Sequence, residues 1–145
     1  MTFWGFVLGA VGAIVAWLAT EFIGRPFRRF FDLRSEIARR LVQFDNVSGR
    51  MRMVDGTNRE YVELSPSQDA RLTEAENTFR DLASQMRAFA QAEPIAESIV
   101  KRACRYDAWE ASRALIAYSN EISTEGPMRA AFKAQIATLL RIKIS

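Results

Sequence analysis

Residues 3–23 read FWGFVLGAVGAIVAWLATEFI, and the reading of this stretch decides the fold. It contains no Lys or Arg, and Glu21 near its end is its one charge. At 1.5 Å per residue, a helix over these positions is roughly 31 Å long, enough to cross the hydrocarbon core of a bilayer. A cleaved signal peptide needs a basic segment ahead of a shorter apolar core, and Met1 and Thr2 supply no side-chain charge. The stretch therefore predicts an uncleaved transmembrane anchor over residues 1–24.

The predicted helix has two faces. Gly5, Gly9, Gly12, Ala13, Ala16 and Thr20 recur at three- and four-residue spacing along one side, with Val7, Val11, Ile14, Leu18 and Phe22 on the other. Small residues let two helix backbones approach closely in lipid, where packing replaces the hydrophobic effect. The small side is thus a candidate contact surface, for a different membrane protein or for a second copy of the chain.

Charge sets the expected orientation. No Lys or Arg precedes the apolar run, and Arg25, Arg28, Arg29, Arg34, Arg39 and Arg40 follow it. The positive-inside rule then puts the N-terminus outside and the rest of the chain in the cytoplasm. Residues 24–50 carry seven basic and three acidic side chains, whereas residues 51–145 carry thirteen of each. The basic excess is therefore next to the anchor, which suits anionic lipid of the inner leaflet rather than nucleic acid. Glu21 lies four residues before Arg25, in position to pair with it if the helix continues. Pro26 either breaks that helix or kinks it.

Residues 25–45 predict a basic amphipathic helix. Phe30, Leu33, Ile37, Leu41 and Phe44 follow helical spacing, with charged residues opposite. Its first turns alternate Arg25, Arg28 and Arg29 with Phe27 and Phe30, a composition suited to the headgroup boundary, guanidinium groups on phosphates and rings at the acyl edge. Residues 46–64 have no helical period and read as a loop, although partial alternation around Asp55 and Gly56 allows a small hairpin. Residues 65–145 predict a helical bundle. Ser65, Pro66 and Gln68 form a capping box, and Leu72, Ala75, Phe79, Leu82, Met86 and Phe89 give the following helix one apolar seam. Pro94 opens the next helix. Asp107 and Glu110 make a second capping box for a helix whose inward side is read as Trp109, Leu115, Ile116, Ser119 and Ile122. Gly126 and Pro127 start the last helix. The fold class is all-α, an anchor and a juxtamembrane helix followed by an antiparallel helical bundle.

The chemistry-bearing residues are sparse. The chain has no His and a single cysteine, Cys104, which excludes an intrachain disulfide and the commonest general base and metal ligand. Cys104 is read as a core residue. No spacing of acids singles out a catalytic pair, and no phosphate-binding Gly loop or Gly-x-Ser-x-Gly is present. No catalytic, cofactor or metal residue is assigned. Asn46, Ser119 and Asn120 stand out as polar residues at helix ends, read as structural ties between helices, with a small polar ligand site as the alternative.

The stretches LRSEIARRLVQFDN, FRDLASQMRAFA and EASRALIAYSNEI, at residues 33–46, 79–90 and 110–122, together resemble a widespread group of small uncharacterised bacterial single-pass membrane proteins with a cytoplasmic helical domain. The resemblance implies a bacterial inner-membrane location and the same layout, and carries no activity. The expected function is a non-enzymatic, membrane-anchored interaction module, an accessory or scaffolding subunit of a membrane complex. The alternative is a self-associating effector or sensor whose small-residue face drives homo-oligomerisation.

Overall fold

The computed structural model describes residues 3–54 and 58–143. The chain is mostly helical, with one long apolar helix at its N-terminal end. Helix α1 (Phe3–Ala19) runs into a π-helical turn (Thr20–Gly24) and then into α2 (Arg25–Gln43). From Trp4 to Gln43 the helix is continuous over 40 residues, a rod of about 60 Å. Pro26 neither breaks nor ends it. In a regular α-helix the proline ring collides with the carbonyl four residues back, here that of Phe22. The Arg25 N–H instead donates to the Thr20 carbonyl, five residues back. The turn holds one residue more than an α-turn, and the helix passes through.

The far half of this rod is part of the core. Phe30, Leu33, Ile37, Leu41 and Phe44 are buried, the same face that helical spacing picks out. They meet α3 (Pro66–Ala92), whose Leu72, Ala75, Phe79, Leu82, Met86 and Phe89 are also buried. Aromatic rings join the elements: Phe30 lies 5.4 Å from Phe89, and Phe79 stands edge-on to Tyr118 at 4.9 Å. Helix α3 begins at the capping box of Ser65 and Gln68. Short α4 (Pro94–Ala103) follows, then α5 (Ala108–Glu121) and α6 (Pro127–Leu139).

Helix α5 buries Leu115, Ser119 and Ile122 of the expected inward side but not Trp109 and Ile116. Trp109 and Ile116 are exposed, and Ala108, Ala111, Ser112, Ala114, Leu115, Tyr118 and Ser119 are buried. The small side chains let α5 lie close against α3, where Ala83 is buried too. Trp109 covers the outside of that contact, with the Arg87 guanidinium 5.0 Å from its ring centre. The cap of α5 is half of the expected box. Asp107 accepts the Glu110 N–H at 3.0 Å, while the Glu110 carboxylate pairs with Arg113 at 3.2 Å.

Residues 46–64 are not a plain loop. Strands β1 (Met51–Val54) and β2 (Asn58–Tyr61) form an antiparallel hairpin, with Met51 opposite Tyr61. The turn signal at Asp55 and Gly56 lies outside the described residues. A two-residue strand β3 (Thr124–Glu125), just after α5, pairs in parallel with β1. The order is β2-β1-β3. Gly49 permits this pairing. A Cβ there would stand 2.6 Å from the Ser123 carbonyl oxygen. The Met51 N–H donates to that oxygen at 2.9 Å.

Candidate functional site

The first candidate surface is α1. No part of its apolar window is buried against the rest of the chain. Gly5, Gly9, Gly12, Ala13, Ala16 and Thr20 are all exposed, and at Gly9 and Gly12 there is open space where a Cβ would sit. The Thr20 hydroxyl donates to the Ala16 carbonyl at 2.9 Å, so its polar group is satisfied within the helix. Trp4, Phe6, Trp17 and Phe22 are exposed as well. The described residues thus include one helix long and apolar enough to cross a membrane, with a strip of small residues along it.

The second candidate is the junction between rod and folded domain. Glu21 and Arg25 form an ion pair one turn apart, beside the π turn. Arg25, Arg28 and Arg29 are exposed. The two phenylalanines read with them behave differently. Phe30 is fully buried between Phe89 and Tyr106, its centroids 5.4 and 5.5 Å from theirs, so it is unavailable to lipid. Phe27 is half-buried against the same cluster. The aromatic ring left exposed is Phe31, edge-on to Phe30 at 5.5 Å. Phe30 and Phe31 are one residue and about 100° apart, and helical spacing cannot distinguish a ring facing lipid from a ring facing protein.

Beside these arginines, α2 and α3 enclose a groove of about 630 Å³. Leu33 and Leu82 lie among its walls, with Arg28, Arg29, Asp32 and Asp81 at its sides. Further along, Glu36 is held by Arg40 at 2.7 Å and by Arg39. The Arg40 hydrogen bond holds the Glu36 carboxyl below its ordinary range, against the opposing effect of burial.

The remaining sequence candidates are not brought together. Asn46 is exposed. Ser119 is buried, but its hydroxyl donates to Ile116 in its own helix at 2.8 Å. Asn120 is exposed and lines a second groove of about 380 Å³ between α3 and α5, with Arg87 and Arg113. Cys104 is half-buried at the C-terminal cap of α4, outside the core.

Two arginines supply ties between helices instead. Arg34 on α2 donates to the Leu140 and Arg141 carbonyls, both at 2.7 Å, just past the end of α6. Its guanidinium also lies 5.3 Å from the Tyr106 ring centre. Arg129 in the first turn of α6 returns the contact, donating to the Val47 carbonyl at 2.7 Å and the Asp45 carbonyl at 3.1 Å, just past the end of α2. Each helix thus places a cation on the unsatisfied carbonyls at the negative end of the other. In the sequence, Arg34 is one of six arginines between residues 25 and 40, and only its place in three dimensions separates it from the rest.

Among the described residues no group of His, Cys, Asp or Glu has the arrangement of a metal site. No protein-family model, curated protein or solved structure matches this chain.

Proposed function

We propose that the protein is a membrane-anchored, non-enzymatic interaction module, an accessory or scaffolding subunit of a bacterial membrane complex. In this reading α1 spans the inner membrane with its N-terminus outside, and α2 to α6 form an antiparallel bundle on the cytoplasmic side. The observation that carries it is the contrast along one rod. The α1 half has no partner among the described residues and the α2 half is built into the core. An apolar helix of this length in water would drive aggregation, whereas in a bilayer only its polar ends need solvent. The arginines that follow α1 support the orientation, and they attract anionic lipid.

The small-residue strip is the contact surface for the partner. Gentle extraction from the native membrane, followed by mass spectrometry of intact complexes, tests this. A defined set of other membrane subunits is expected with the wild-type chain. That set should be lost with Gly9→Leu and Ala13→Leu together, which fill the strip without touching the folded domain. A ladder of identical copies would assign the strip to self-association instead. Assemblies unchanged by both substitutions would exclude the strip as an interface.

A further inference from the structure

We propose that the groove between α2 and α3 holds one zwitterionic phosphoethanolamine headgroup of a membrane phospholipid. The inference rests on the membrane-anchored reading and adds a specific site to it. A basic collar alone recruits anionic lipid without selecting a headgroup. This groove carries both signs, in an order. Arg25 is paired with Glu21, and Arg40 with Glu36. Arg28, Arg29 and Asp32 form no ion pair among the described residues, and neither does Asp81, which accepts only the Gln85 amide at 2.7 Å. Two guanidinium groups and two carboxylates therefore face one cavity with their charge unspent on each other.

Their order matches the ligand. Arg28 and Arg29 lie about 8–9 Å beyond Ile23 along the helix axis, near the depth of the headgroup layer. Asp32 is a further 4–6 Å or so from the bilayer. A phosphoethanolamine presents its phosphate next to the glycerol and its ammonium one two-carbon linker further out. The guanidinium groups are placed to donate to the phosphate, the geometry arginine suits. Asp32 is placed to accept from the ammonium, and Asp81 lies further out along the groove. Leu33 and Leu82 give the linker and upper glycerol an apolar wall. Phosphatidylcholine has the same charges, but its quaternary nitrogen has no N–H to donate. Phosphatidylglycerol has no cation for Asp32.

The test uses the full chain in nanodiscs of phosphatidylethanolamine, phosphatidylglycerol and phosphatidylcholine in equal parts, with the lipids retained on release counted by native mass spectrometry. One phosphatidylethanolamine per chain is expected, favoured over either other lipid by roughly tenfold, the scale of one hydrogen bond to a charged group. Arg28→Gln with Arg29→Gln should abolish retention of every lipid. Asp32→Asn with Asp81→Asn should keep a retained lipid but bring the ethanolamine-to-glycerol ratio to about one. All four positions are exposed, so the folded domain does not depend on them. Equal retention of the three lipids, or a preference that survives Asp32→Asn with Asp81→Asn, would overturn the site. Tight binding of soluble phosphoethanolamine to the lipid-free chain in detergent would overturn the assignment to a lipid. A chain that enters no disc of any composition would overturn the membrane reading itself.

Discussion

Arg34 shows how much one side chain can carry. Its planar fork reaches two carbonyls beyond the end of α6 while its face rests near Tyr106. Lysine keeps the charge but cannot span both oxygens or stack. Arg34→Lys is therefore expected to destabilise the chain by about 1–2 kcal/mol, the range for hydrogen bonds from a charged donor. The check is thermal unfolding of the full chain in detergent. An unchanged midpoint would reduce the fork to a surface contact. Tyr118 makes the opposite case. Its side chain is fully buried, and its hydroxyl has no hydrogen-bond partner among the described residues. An unsatisfied buried hydroxyl costs about 1–3 kcal/mol, so Tyr118→Phe should keep the edge-on contact with Phe79 and raise stability by about 1 kcal/mol. A loss of stability would reveal a water bound to that hydroxyl. Neither role is legible in the sequence. Six arginines lie between residues 25 and 40 and three tyrosines lie along the chain, and spacing alone gives each the same meaning.

At the scale of the element, the cap of α3 is legible in the sequence and strand β3 is not. Ser65 and Gln68 cap α3 with bonds contained within four residues, and such local chemistry can be read from a short window. Strand β3 is two residues long and pairs with β1 from the other end of the domain, so no window contains both partners. The inward side of α5 departs from helical spacing at Trp109 and Ile116 for a related reason. Bulk marks Trp109 and Ile116, but close contact with α3 selects the small residues.

The cap of α5 gives a pH dependence. Burial pushes the Asp107 carboxyl up, but the Glu110 N–H and the Lys101 ammonium, 2.9 Å away, outweigh it and hold the carboxyl below its ordinary 3.8. The same contact holds Lys101 above its ordinary 10.5, first through the hydrogen bond with Asp107. A lowered carboxyl stabilises the fold fully above its unfolded value, and that contribution is lost as pH falls through the folded one. For the raised ammonium the loss comes as pH rises through its folded value. Asp107→Asn removes the ion pair but keeps a capping oxygen, and should cost about 0.5–1 kcal/mol, with Asp107→Ala costing about 1–2. The difference between wild type and Asp107→Asn should be flat from about pH 5 to 9 and shrink below about pH 4. Thermal unfolding across that range checks it. A difference that persists undiminished in acid would remove the ion pair from the account.

For the whole molecule, the mostly helical character and the long apolar N-terminal helix follow from periodicity and length, the most robust sequence signals. The candidate sites divide along the same line. The small-residue strip lies on one helix and can be counted off at three- and four-residue steps. The groove draws its walls from α2 and α3, nearly fifty residues apart at Asp32 and Asp81. Its second wall, with Leu82 and Asp81, appears only when the two helices lie side by side. The headgroup role read for Phe30 failed for the same reason, because α3 and Tyr106 had already covered that ring.

The π turn at Thr20–Gly24 fixes a relation that neither half of the rod determines alone. Each residue in an α-helix advances the side chains by about 100° around the axis. The supernumerary residue in this turn therefore sets the azimuth at which Gly9 and Ala13 point relative to Phe30 and Leu33. Without it, the strip of small residues would look out over a different quarter of the folded domain. Any neighbour docked on that strip meets the domain at a bearing dictated by the five residues of this turn.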